Sequence, residues 1–184
     1  MQVPHGRAAC GVNGIQAMDS LAEGDMSRTP YQNMQAVKYA KTYCSQNSNG
    51  CGVYLSGGNL SDCAHFLAHC LHAGGITVKK SAAEDPLCPH GLTTRNTVLV
   101  DALRALAAKH DNVKEIDLGD TILGDVGFLK VERPRHAFLV SKPGPLPGGF
   151  NVPFVWAHSS SRCDAQLDTD WRQWLSNAFR LEDG

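Results

Sequence analysis

Leu60-Ser61-Asp62-Cys63-Ala64-His65-Phe66-Leu67-Ala68-His69-Cys70-Leu71-His72-Ala73-Gly74-Gly75 sets a cysteine in the first turn of a well-bounded helix. Ser61 or Asp62 can cap the free amide groups at its start, Ala and Leu fill its interior, and Gly74-Gly75 supplies a left-handed stop. A helix is predicted over about 62–73. Unpaired N–H groups and the positive end of the macrodipole lie beside the Cys63 sulfur, an environment that favours the thiolate, whereas Cys70 further along gets no such help. At about 100° per residue, Cys63, Phe66, Leu67, Cys70 and Leu71 share one face and His65, His69 and His72 the opposite one. The sulfur is expected to face the protein, within reach of a base carried on a sheet. The histidine stripe is expected to face solvent or a partner.

The 184 residues and 42% hydrophobic content fit one globular domain with a real core. A formal net charge of −1 provides no basic field, so neither nucleic acid nor an anionic membrane is expected as a partner. No window has the roughly 18 apolar residues of a membrane span, and Met1 to Ala22 lacks the basic start and apolar core of a secretory signal. The expectation is a soluble chain made in the cytoplasm. The seven cysteines are Cys10, Cys44, Cys51, Cys63, Cys70, Cys88 and Cys163. An odd count fits one reactive thiol beside disulfides, and equally seven reduced thiols. A Cys44–Cys51 bridge across the Ser/Asn/Gly loop is geometrically easy; the alternative is that both are small buried residues.

Residues 1–29 show little periodicity and read as an N-terminal arm, leaving 30–184 as the domain. Tyr31, Met34, Val37, Tyr39, Ala40 and Tyr43 recur at helical spacing after Pro30, which predicts a first helix to about Ser45. A third helix, capped by Thr94 or Asn96, is predicted to about Lys109 from the stripe Val98, Leu99, Ala102, Leu103, Leu106 and Ala107. Short β-branched and aromatic runs over 113–118, 121–132, 136–141 and 154–159 predict strands. Asp170 to Leu181 reads as a closing amphipathic helix or capping turn. Helices first and an antiparallel sheet second make an α+β layout.

His136 opens one strand pattern and His158 ends another. A hairpin around Lys142 to Pro153 that pairs Ser141 with Pro153 also pairs His136 with His158, setting both rings on one face about 5 Å apart. One imidazole can then orient the other, which serves Cys63 as general base. A slip of one residue would put the rings on opposite faces. Asp125, Asp164 and Asp168 sit in turn sequences, where capping is the commoner role.

The run Asp62 to Gly75, then Gly124-Asp125-Val126-Gly127-Phe128, then His136-Ala137-Phe138-Leu139-Val140 and Ala157-His158-Ser159 resembles the putative amidase domain family. That family sits in the papain-like superfamily beside the NlpC-type cell-wall peptidases. The resemblance implies a papain-like α+β fold with the nucleophile at a helix N-terminus. It assigns Cys63 as nucleophile, His136 as base and His158 as the third polar residue, with Gly124-Asp125 a structural turn. Where the family has a small polar residue two after the cysteine, this chain has His65, and His69 also departs from the pattern. Ser61, Asp62 and Tyr54 are the candidates for the oxyanion or substrate-binding group, none of them matched by the family pattern.

The reaction implied is cysteine-dependent cleavage of an amide or peptide bond, with bacterial peptidoglycan peptides the leading substrate. It needs no cofactor, and no metal ligands are assigned. Reaching the cell wall without a signal implies non-classical export, as for an antibacterial effector, and then an immunity or inhibitor protein that plugs the cleft. The rival readings are an acyltransferase using the same Cys-His pair, and a zinc-binding or inactive binding module built on His65, His69 and His72.

Overall fold

The computed structural model describes residues 28–46, 49–53, 55, 62–85, 87–129, 136–144, 152–158, 162–167 and 175–184. Three helices precede the sheet: α1 (Asn33–Tyr43), α2 (Asp62–Ala73) and α3 (Asn96–Ala107). The strands are β1 (Val113–Ile116), β2 (Val126–Leu129), β3 (His136–Lys142), β4 (Phe154–Ala157), β5 (Arg162–Gln166) and β6 (Leu175–Leu181), with a short 3-10 turn at Leu118–Asp120. They form one antiparallel sheet in the order β1-β6-β2-β3-β4-β5. This is an α+β fold.

Helix α2 is buried on almost every side, from Asp62 through Leu71. It packs on α1, α3 and β3, which is why its sequence is so rich in Ala, Leu and Phe. Its end is closed by Gly75, whose φ of 101° suits glycine, while Ile76 N–H reaches back to the Leu71 carbonyl at 2.9 Å. On the sheet, Phe128, Ala137, Leu139, Trp156 and Phe179 join the helices in one core. Leu129, Phe138, Val140, Val155 and Ala157 form a second core on the opposite face. Strand β3 is buried on both faces, and its run Ala137-Phe138-Leu139-Val140 is accordingly apolar without alternation.

Several expectations need correction. Leu175–Leu181 is a strand, not a closing helix or capping turn, and it inserts between β1 and β2, where its backbone pairs on both sides. Its apolar residues alternate closely enough with helical spacing to fit either period. Strand β5 was not anticipated, because Arg162-Cys163-Asp164-Ala165-Gln166 is polar and mostly exposed at the sheet edge. Cys44 is bonded to Cys163 with Cα atoms 5.4 Å apart, so it does not bridge to Cys51. Most of the N-terminal arm lies outside the described residues. Thr29, at its end, is buried: its N–H donates to Asn112 Oδ1 at 2.8 Å, and Asn112 Nδ2 donates back to the Thr29 carbonyl. The described residues contain no helix long and apolar enough to cross a membrane.

Candidate functional site

Cys63 occupies the second position of α2 and is 1% exposed. Its sulfur lies 3.7 Å from Asn96 Nδ2, which donates to it, and 3.9 Å from Asn96 Oδ1. Asn96 begins α3 without acting as a cap, since the N-cap residue is Arg95 and makes no side-chain capping bond. The starts of two helices therefore meet at the thiol. Cys70, in contrast, is fully buried, and burial pushes its thiol well above the usual cysteine range.

Beside Cys63, Asp62 gathers donors from four directions. Its Oδ2 lies 2.6 Å from His158 Nδ1, and its Oδ1 accepts from Leu55 N–H at 3.3 Å and Asn49 Nδ2 at 3.4 Å. His65 Nδ1 is 3.5 Å away. Burial alone would raise this carboxyl, but the hydrogen bonds from His158 and His65, the His158 charge and the Leu55 N–H outweigh it and hold it at about 2. An ionised carboxylate repels a developing oxyanion, so Asp62 is unsuited to the oxyanion role. Ser61 and Tyr54, the other two candidates, lie outside the described residues.

His158 follows β4 and turns toward α2. Its Nε2 donates to the Tyr43 carbonyl at 2.9 Å, its Nδ1 donates to Asp62 Oδ2 at 2.6 Å, and its ring stacks on Phe66 with centroids 4.2 Å apart. Both nitrogens are thereby engaged by groups other than His136. The register between β3 and β4 pairs Leu139 with Trp156 and Val140 with Val155. Continued by two residues, it sets His158 opposite Ala137, one position away from the expected pairing with His136. The connection itself offsets the register by two residues, pairing Lys142 with Phe154, and a bulge between Val140 and Lys142 takes one back; the odd net offset separates the two rings onto opposite faces. His136 is the first residue of β3, opposite Leu129, and is buried. Burial and the nearby Arg162 charge push its imidazole down to about 4. His136 shares the Leu129 side of the sheet, which packs away from the helices, so the fold sets it on the other face from α2 and Cys63 and does not place it as the base expected from the sequence.

The histidine stripe of α2 is not a solvated face. His65 is fully buried and His69 is 4% exposed; only His72 is exposed, where it contacts Thr77 Oγ1 at 2.9 Å. The 49–53 turn and the hairpin around the Lys79–Leu92 bridge cover the other two. These segments bring Cys51 and Cys88 to His65 and His69, so that four ligand-type atoms lie within 4.8 Å of one another. Burial and the neighbouring histidines push His69 down to about 3. The sequence signal was a His-x3-His pair on one helix with a cysteine on either side of it in the chain.

Asp125 has the turn role expected of it, whereas Asp164 lies within β5 and not in a turn. Asp125 Oδ2 accepts from Ile122 N–H at 2.8 Å and pairs with Arg180, in a turn where Gly124 has a φ of 87°. Asp164 accepts from Ser141 Oγ at 2.6 Å.

Residues 30–92 match the model of the family described as "Putative amidase domain". The match spans about a third of the chain, from α1 through the hairpin that follows α2, and includes Cys63. It does not extend to His136 or His158. No curated protein and no solved structure matches the chain.

Proposed function

We propose that this protein is a cysteine-dependent amide hydrolase of papain-like type. The observation that carries the reading is Cys63 in the first turn of a buried helix, inside the segment that is similar to an amidase family and in contact with the Asn96 amide. The thiolate attacks the amide carbonyl, and the Cys63 backbone N–H and Asn96 Nδ2 offer donors to the resulting oxyanion. His158, the histidine on the α2 face of the sheet, takes the thiol proton once its Nε2 turns from the Tyr43 carbonyl and returns one to the leaving amine, with Asp62 as its orienting carboxylate; water then releases the acyl group. Asp62 and His158 fix the start of α2.

The resemblance to NlpC-type peptidases makes peptidoglycan peptides the first substrates to try. Purified muropeptides incubated with the native chain are expected to yield cleaved products by mass spectrometry, and none with Cys63→Ala. His158→Ala is expected to abolish turnover, whereas His136→Ala retains some. The reverse order moves the base to His136, and transfer of the acyl group to an added amine in preference to water would make the enzyme an acyltransferase.

A further inference from the structure

Four side chains on the far side of α2 from the sheet have no part in that chemistry. Cys51 comes from the 49–53 turn, His65 and His69 from successive turns of α2, and Cys88 from the hairpin between Val78 and Thr93. His65 Nε2 and His69 Nε2 are 3.2 Å apart, Cys51 Sγ is 3.6 Å from His65 Nε2, and Cys88 Sγ is 3.5 Å from His69 Nε2. A tetrahedral zinc ion with bonds of about 2.3 Å to sulfur and about 2.05 Å to nitrogen spaces two nitrogens about 3.3 Å apart, and a nitrogen and a sulfur about 3.6 Å. All three separations fit.

We propose that Cys51, His65, His69 and Cys88 form a closed structural zinc site that pins the 49–53 turn and the hairpin to α2. The chemistry of the set selects the ion: two thiolates offset the charge of the dication, and two imidazoles complete a tetrahedral shell of mixed nitrogen and sulfur donors. Four protein ligands leave no position open for substrate or water, so the site is structural.

The surroundings are built to hold it. Ligation through Nε2 leaves the His65 proton on Nδ1, which lies 3.0 Å from the Asn49 side-chain amide, whose oxygen can turn to accept it, and 3.5 Å from Asp62 Oδ1, polar groups of the kind that orient imidazoles at zinc centres. The His69 ring stacks on Tyr39 at 5.7 Å, and the Tyr39 hydroxyl accepts from Gly50 N–H in the turn that carries Cys51. Around Cys88 the hairpin is fixed by Glu84, which accepts from Ser81 N–H and Thr94 N–H, each at 2.8 Å, and from Thr93 Oγ1 at 2.9 Å. Because Asp62 also holds His158, the site is joined by two side chains to the turn that carries Cys63.

The test is elemental analysis of the native chain purified without added metal, followed by exchange with cobalt(II). The expected result is one zinc per chain and, after exchange, the visible absorption of tetrahedral cobalt with thiolate ligands. That absorption should be lost in Cys88→Ser. Should Cys88→Ser fail to fold, chelation of the native chain supplies the second readout: zinc loss should lower the thermal midpoint and open Cys51 and Cys88 to alkylation. A folded native chain that holds no zinc and takes up no cobalt overturns the proposal, as does a Cys51–Cys88 disulfide in the unreduced peptide map. Cys63→Ala should keep its zinc, so failure of the hydrolase reading leaves this result standing.

Discussion

Cys63 sits where two helix starts converge, and its neighbours divide the work by charge. Asn96 presents an N–H to the sulfur, while the Asp62 carboxylate is taken up by histidines and backbone. Loss of a preorganised donor to an oxyanion costs about 100- to 1,000-fold in kcat. Asn96→Ala is therefore expected to lower kcat by about 100-fold with little change in KM, read from steady-state rates. His136 carries a second expectation. Its pKa falls from 6.5 in the unfolded chain to about 4 in the folded one, so the unfolded chain takes up the proton first as pH drops. The stability this neutral imidazole confers is complete above about pH 6.5 and lost toward pH 4, on the order of 3 kcal/mol in all. Urea unfolding of native chain and His136→Gln at pH 7 and at pH 4.5 should show a steeper loss for the native chain; parallel losses would contradict the assignment.

At the scale of elements, α2 and the hairpin after it hold the site, and Glu84 is their joint. A buried carboxylate that collects backbone and hydroxyl donors is held below the usual range despite its burial, as Glu84 is. Glu84→Ala strands those donors and is expected to lower stability by about 3 kcal/mol, measured by thermal or urea unfolding. Helix α2 was readable from the sequence because its stop is local chemistry: Gly74-Gly75 need no knowledge of the rest of the chain. Strands β1 to β4 were readable from their apolar runs, if not their ends. What escaped was non-local. Nothing in the polar string of β5 announces an edge strand, and no count of loop residues reveals the bulge that moves His158 opposite Ala137. Likewise Asn96 looks like a cap until α2 is set beside it, and the far face of α2 looks solvated until Cys51 and Cys88 close over it.

For the whole molecule, the Cys44–Cys163 bond ties the end of α1 to the edge strand β5, across 119 residues of chain. Cross-linking a loop of that length removes unfolded-state entropy worth roughly 5 kcal/mol. Cys163 is exposed, so reductant reaches the bond from solvent. The thermal midpoint is expected to fall on reduction, and Cys163→Ser should show the lower midpoint with or without reductant. The helical layer and sheet then meet at one place: a sheet that brings His158 to a helix start, a helix that carries a thiol there, and a cluster of two cysteines and two histidines on the helix's far side. The central claim is that Cys63 carries an acyl group. The direct measurement is trapping: the native chain mixed with an amide substrate, quenched in acid and mapped by peptide mass spectrometry. The account expects the acyl mass on the peptide containing Cys63 and no turnover by Cys63→Ala; amide cleavage undiminished in Cys63→Ala would contradict it.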